Sequence, residues 1–524
     1  MRRILNPNSN LFQEALNDEI YIDKSELIHH TNKVIKTKRK YICVSRPRRF
    51  GKTITADMLT AYYSRGCDSR EIFSNLKISQ SKDFEEHLNK YNVIYIVMDK
   101  YLGLAKSVSE MIEYIYDDIA RQAKKQFKDL EMPERNTLPD LIDAIYEQYE
   151  IPFVFIIDEW DCVFREKQDD VQGQKDYLDY LKILLKDQDY VALVYMTGIL
   201  PIKKYGKHSA LNTFTEISMT NPREFAEFTG FTEEEVKELC SEYNMRYEET
   251  KKWYDGYDLK GVSIYNPRSV VMSMTGHDFD NYWTSTETYE ALEVYIRINF
   301  DGLRDAIVRL LAGEKVKVST TGFTNDMVTF RNKDDVLTLL IHLGYLTYDF
   351  KTQLTWIPNN EIAGEFANVI KNLNWSGVSR SLILSDELLK ATLRMEADKV
   401  AKCIDEAHDE NASILKYSDE NSLACVLSIA YFTARNYYTI DRELPAGKGY
   451  ADMVFRPIMN VAMPAMIIEL KYDKTAETAI KQIKDRKYIR GLKGYQGEVL
   501  LVGINYNKDD ANKKHDCKIE KVKI

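Results

Sequence analysis

Two pairs of short stretches carry residue types that do phosphate chemistry. The first pair is YICVSRPRRFGKT, which closes on Gly51-Lys52-Thr53, and PFVFIIDEWD, which places Asp158-Glu159 at the end of an apolar run. A glycine followed by a lysine and a hydroxyl residue suits a polyphosphate. Amides at a helix start face the phosphates, Lys52 reaches the β/γ oxygens, and the Thr53 hydroxyl joins a magnesium shell. Asp158 then faces the water-bound Mg²⁺ and Glu159 the attacking water. Against the pattern G-x-x-x-x-G-K-[ST], the first glycine position is Arg46; with Arg48 and Arg49 it makes the loop strongly cationic. Thr197 stands next to last in ALVYMTG, where a hydroxyl can sense a γ-phosphate, although a strand-end Thr is more often just a turn residue. Arg223 and Arg268 are candidates for a second sensor.

The second pair is GKGYADMVF and AMIIELKYD. Strand side chains alternate, so Glu469 and Lys471 share a face while Leu470 points away. If the two segments pair as neighbours, Asp452 joins them. Two carboxylates suit Mg²⁺ or Mn²⁺, which favour oxygen ligands, and the lysine can orient a bound water or neutralise developing charge. Nothing in the motif suggests zinc. The segment TAETAIKQIKDRKYIRGLK follows as a helix carrying Gln482 and, six residues on, Tyr488. Residues 471–493 hold eight basic against three acidic side chains. That excess, which includes Lys481 and Lys484, reads either as a solvated face or as a surface that tracks phosphates.

The elements that must position these residues follow from hydrophobic pattern. Tyr41–Ser45, Val93–Met98, Phe153–Ile157 and Val191–Met196 are short and apolar throughout, as strands buried on both faces of a parallel sheet are. Helical patterns such as Ser107–Phe127 and Tyr177–Lys186 lie between them, so the first 230 residues read as an α/β layered domain. TEEEVKELCSEY then opens a helical region with a capped helix. Within it, Asp334–Leu343, Gly344 and two short strands outline a winged helix. A helical block, Asp386–Ala434, leads to four further strands, Tyr437–Arg442, Gly449–Phe455, Ala465–Leu470 and Glu498–Val502, with a helix Thr475–Ile489 before the last. The expected division is an α/β ATPase-like domain over 1–230, a helical and winged-helix middle over 231–380, and an α/β nuclease-like domain over 381–524.

SRPRRFGKT, with YIDKSEL upstream, closely resembles the bacterial AAA-ATPase-like family that carries RPRRFGK[ST] in place of a standard Walker A motif. The resemblance continues through IIDEWD, MTGILPIKK, GFTEEEV, WYDGY, YNPRSV and GYLTYD, covering most of residues 10–360. It implies that Arg46 is normal for the group, that ATP is the cofactor, and that Asp23 and Lys24 lie near the nucleotide; both also read as helix-capping charges. The C-terminal arrangement resembles the PD-(D/E)XK nuclease superfamily, in the version found at the C-terminus of the same proteins. Asp452, Glu469 and Lys471 match its core motif, and Gln482 and Tyr488 its trailing helix. Glu420 sits where related nucleases place an auxiliary acid, or simply starts a helix. The proline-aspartate of the superfamily name is absent, because Asp452 follows Ala451.

Composition bounds the rest. Of 524 residues, 44% are hydrophobic and 29% charged, which suits folded domains and excludes a disordered chain. A formal charge of −9 argues against binding nucleic acid by bulk charge but not against a local basic groove. Seven cysteines stand singly, with no CxxC pair, which suits a reducing cytoplasm. MRRILNPNSNLFQ lacks the apolar stretch of a secretory signal, and no apolar run approaches the roughly 20 residues of a membrane span. The expectation is an ATP-dependent protein whose C-terminal nuclease cuts nucleic acid, DNA in the first instance, with nucleotide gating and a possible homo-oligomer. Defence against foreign DNA would suit such a pairing. The rival readings are a slow nucleotide-dependent signalling switch and an ATPase whose nuclease fold only docks a partner.

Overall fold

The structure is a computed structural model that describes residues 3–202, 211–283, 288–298, 300–325, 327–373, 375–411, 420–446, 449–458, 462–492, 494–507 and 515–524. The chain forms two compact units, residues 1–282 with 317–358 and residues 283–316 with 359–524. Neither unit is one continuous stretch.

The first unit is built on a parallel sheet of β1 (Tyr41–Ser45), β2 (Asn92–Val97), β3 (Phe153–Asp158), β4 (Val191–Gly198) and β5 (Thr215–Ile217). Their order across the sheet is β2-β3-β4-β1-β5. β1, β3 and β4 are buried along their whole length, which is why they read as unbroken apolar runs. The sequence expects four strands here. The fifth, β5, is a three-residue edge strand, Thr-Glu-Ile, too short and too polar to announce itself.

The helix Lys52–Tyr63 follows β1 and lays Ala56, Leu59, Tyr62 and Tyr63 against Ile42, Val93, Tyr95, Val154 and Tyr195 of the sheet. Fully burying side chains of this size stabilises by about 1.5–3 kcal/mol each, so the start of this helix is held firmly at the end of β1. Beyond the sheet, Thr232 opens the helix Glu233–Glu242 with a capping box closed by Glu235, as its sequence suggests. The helix Lys333–Leu343 ends on Gly344 and runs into a hairpin of Thr347–Asp349 and Leu354–Trp356, the helix–turn–hairpin outline read from the sequence.

The second unit begins with helices, among them Ser376–Leu393, Ala397–Asn411 and Glu420–Ala430. A mixed sheet follows, in the order Tyr438–Ala446, Gly449–Pro457, Ala465–Tyr472, Glu498–Tyr506 and His515–Lys523. The first three strands are antiparallel neighbours, the third and fourth are parallel, and the last is antiparallel. A parallel step needs a crossover, and the helix Ala476–Asp485 provides it. Its Ile480 and Ile483 pack on Val454, Ile467 and Leu501. The last strand, HDCKIEKVK, is absent from the sequence expectation, because a largely charged edge strand carries no apolar run.

Candidate functional site

In a parallel sheet, ligands gather at the carboxyl ends of the strands, where the strand order reverses. β1, β4 and β3 lie side by side there and deliver Lys52-Thr53, Thr197 and Asp158-Glu159 to one place. Gly51 turns the chain into its helix at φ +80°, a left-handed conformation that strains any residue with a Cβ. Among the described residues no side chain caps that helix, which leaves the amides of its first turn facing the site where an anion would sit.

Asp158, fully buried, is the centre of this cluster. Its Oδ2 accepts the Thr53 hydroxyl at 2.7 Å, and its Oδ1 accepts both the Thr197 hydroxyl and the Glu159 amide, the latter at 3.0 Å. Lys52 is buried and points back into the loop, donating to the carbonyls of Arg46 at 3.1 Å and Pro47 at 2.9 Å. Burial lowers its pKa, against the pull of the Glu159 and Asp158 charges. An uncapped helix start, a buried ammonium and a carboxylate sharing its oxygens with two hydroxyls form a donor set that fits a nucleotide with its divalent cation. Thr53 and Asp158 would hold that cation.

The arginines separate. Arg46 is fully buried, with Nε on the Thr229 hydroxyl and Nη1 on the Ser45 carbonyl, both at 3.0 Å; burial pushes it down to about 10. Its Nη2 is buried with no hydrogen-bond partner among the described residues. Arg49 adopts φ +70° and donates to the Tyr282 carbonyl at 2.7 Å, and Arg48 is half-buried. Arg223 is exposed and bonds the Glu216 carbonyl; Arg268 is exposed in the first turn of the helix Pro267–Gly276. Asp23 accepts the amides of Ser25 and Lys77, and Lys24 holds the Glu235 carboxylate at 2.6 and 2.7 Å.

Two residues here escaped the sequence reading. Arg165 Nη2 reaches Glu159 Oε2 at 2.5 Å, and Asp161, fully buried, lies beside the same guanidinium at 3.4 Å. The signal was present in DCVFR, where Asp161 and Arg165 stand four apart on a helix start. Burial raises the pKa of Glu159, with Lys52 and Arg165 pulling the other way.

The second cluster lies where the antiparallel strands Gly449–Pro457 and Ala465–Tyr472 meet. Asp452 Oδ2 accepts the Leu470 amide at 2.7 Å, so it stands beside Glu469 and Lys471 as the motif requires. Lys471 Nζ lies 2.9 Å from Glu469 Oε1 and 2.7 Å from the Leu470 carbonyl. Gln482 donates to the same Glu469 oxygen and, at 3.1 Å, to the Tyr488 hydroxyl. Glu469 is 1% exposed, and its other oxygen, Oε2, has no hydrogen-bond partner among the described residues. Burial first, and then the Asp452 charge, push Glu469 up to about 7. An orphaned carboxylate oxygen beside a second carboxylate fits a hard divalent cation, which Asp452 and Glu469 would hold. Glu420 begins the helix Glu420–Ala430, but its side chain lies outside the described residues. On the basic helix, Lys484 pairs with Glu520, while Lys481 is exposed.

Each cluster lies within a stretch that matches a known family. Residues 10–206 match the family described as predicted AAA-ATPase, and residues 418–516 match the PD-(D/E)XK nuclease superfamily. Over 282 residues the chain is 21% identical to the "Uncharacterized protein in vnfD 5'region" of Azotobacter chroococcum mcd 1, covering 52% of this chain and 51% of that protein. The chain thus spans about half the length of this curated relative. Two structures of the Aeropyrum pernix ORC2 protein, in its ADPNP-ADP and ADP forms, are 13% and 11% identical to it. They cover 68% and 71% of this chain and 97% and 99% of their own, with TM-scores of 0.33 and 0.27. Among the described residues, no helix is long and apolar enough to cross a membrane. A Gly-Lys-Thr helix start facing an acid-ended strand lies within the first match and an Asp–Glu–Lys cluster within the second: the chain is similar to the predicted AAA-ATPase family over residues 10–206 and to the PD-(D/E)XK nuclease superfamily over residues 418–516.

Proposed function

We propose that the protein binds and hydrolyses ATP at the first cluster and cuts DNA phosphodiesters at the second, with nucleotide state controlling cleavage. In the first cluster, the uncapped amides after Gly51 and the Lys52 ammonium would hold the phosphates, and Glu159 would accept the proton of the attacking water. Thr53 and Asp158 would keep Mg²⁺ against the phosphates, and Thr197, already on Asp158, would meet the γ-phosphate.

In the second, Mg²⁺ or Mn²⁺ held by Asp452 and Glu469 would supply an acidified water and screen the scissile phosphate. Lys471, 5% exposed and 2.9 Å from Glu469, carries the charge that meets the developing negative oxygen. Gln482 fixes the Glu469 carboxylate and is itself fixed by Tyr488. The observation that carries the nuclease reading is the buried Oε2 of Glu469, without a partner among the described residues and beside Asp452: a cation relieves both that oxygen and the repulsion of the two acids.

The experiment is cleavage of plasmid and single-stranded DNA by the purified chain, with Asp452→Ala as control. Activity is expected with Mg²⁺ or Mn²⁺, not with Ca²⁺, and to change when ATP is replaced by ADP. Equal cleavage by wild type and Asp452→Ala would remove the nuclease reading. Cleavage indifferent to nucleotide would remove the gating.

A further inference from the structure

Arg165 is the charged group that the reaction scheme leaves unused although it touches the reaction's base. It sits in the short helix Cys162–Glu166, directly after the acidic end of β3, and its side chain is 9% exposed. Nη2 lies 2.5 Å from Glu159 Oε2, and Nε lies 3.4 Å from Asp161 Oδ2. That Asp161 oxygen also accepts the amides of Ile199 at 3.0 Å and Leu200 at 2.8 Å. These are the residues that follow Thr197 and Gly198 at the end of β4. Packing here is tight: a Cβ on Gly198 would come within 2.6 Å of Asp161 Oδ1 and 2.7 Å of Trp160 Cδ1, and the Trp160 amide bonds the Thr197 carbonyl at 3.0 Å. A continuous line of contacts therefore runs from the Thr197 hydroxyl end of β4 through Asp161 and Arg165 to Glu159.

A general base must bring its oxygen within hydrogen-bond reach of the water it deprotonates. Glu159 has Oε2 engaged by a guanidinium instead, and its backbone, at φ +52°, fixes where the side chain sets out. We infer that Arg165 is a positioning residue that holds Glu159 off the attacking water, and that the end of β4 sets the hold through Asp161. The inference rests on the ATPase reading. When Thr197 meets a γ-phosphate, any shift at the end of β4 reaches the Ile199 and Leu200 amides first, then Asp161, then the guanidinium. A hydrogen bond to a charged group biases two arrangements by about ten- to a hundredfold, enough to make resting turnover slow and triggered turnover fast.

The test compares the full chain with Arg165→Gln, Arg165→Lys, Asp161→Asn, Glu159→Gln and the double variant Arg165→Gln/Glu159→Gln. Phosphate release from Mg-ATP is measured, together with binding of ATP. Arg165→Gln should raise kcat by about tenfold and leave the KM for ATP within about twofold, because the hold acts on the base and not on the phosphates. Arg165→Lys keeps a cation for both acids and should stay near wild type. The double variant should be as slow as Glu159→Gln alone, since the gain must pass through Glu159. A kcat that falls or stays level in Arg165→Gln overturns the inference, as does a double variant that keeps the gain. If Arg165→Gln does not fold by its melting curve, Asp161→Asn decides: it loosens the anchor of Arg165 and must raise kcat. Should wild type neither bind ATP nor release phosphate, the ATPase reading itself falls. Turnover that Glu159→Gln abolishes and Arg165→Gln leaves alone sinks only the inference.

Discussion

Glu469→Gln should make the metal-free protein more stable at pH 8 while abolishing cleavage. Glu469 is almost wholly buried, its Oε2 has no partner among the described residues, and Asp452 stands beside it. Its pKa in the folded state, about 7, lies above the ordinary 4.5, so the folded chain holds this proton over an interval in which the unfolded chain has released it. The associated stability is present below about pH 4.5 and is lost as pH rises through about 7. At about 1.4 kcal/mol per pH unit, that interval sets a ceiling of about 3 kcal/mol. A glutamine keeps one acceptor for Lys471 and Gln482 and turns its amide hydrogens toward the side where the carboxylate had no donor. For a unit of this size, the gain raises the melting temperature by up to about 6–12 °C. The assay is calorimetry of wild type and variant in EDTA at pH 8 and pH 4.5, repeated at pH 8 with Mg²⁺. The difference should be large at pH 8 and small at pH 4.5. Mg²⁺ should stabilise wild type alone, since a ligand stabilises only the state that binds it. A variant no more stable than wild type at pH 8, or equally more stable at both pH values, would refute the reasoning.

Lys52→Ala should weaken ATP binding by about ten- to a hundredfold or more, measured by titration calorimetry, because it deletes the loop's buried ammonium. Thr197→Val removes the hydroxyl that bonds buried Asp158 and should cost about 1–3 kcal/mol in denaturant melts, with slower phosphate release. Gly198→Ala places a Cβ 2.6 Å from Asp161 Oδ1 and 2.7 Å from Trp160 Cδ1; strain of about 1–3 kcal/mol should appear as a lower melting temperature of the first unit. Lys471→Ala should lower the cleavage rate at saturating Mg²⁺ while leaving metal affinity nearly intact, in contrast to Asp452→Ala, which should weaken the metal itself; metal titrations of cleavage rate separate the two.

Much of the site was legible from chain order alone. Local chemistry set β1, β3 and β4, because strands buried on both faces must be apolar throughout, and it set the Thr232 capping box, because a helix start needs its amides satisfied within four residues. Lys52, Thr53, Asp158, Asp452, Glu469 and Lys471 were readable for the same reason: each stands at a fixed offset from the end of its own strand or loop. What the sequence left open depends on neighbours distant in the chain. β5 and the strand His515–Lys523 are edges that take their conformation from a partner strand rather than from their own apolar content. The division into two units, each made of separated stretches, has no composition marker. Arg46 sits in a cationic loop by sequence, yet tertiary packing buries its guanidinium against Thr229, 183 residues away. Arg165 looks like one more charge on a helix until the fold brings Glu159 and the end of β4 to it. Sequence alone therefore determined which groups could do chemistry, since strand ends and loops present them locally. Only the tertiary structure decided which of those groups meet, because burial and electrostatic pairing act across space and not along the chain.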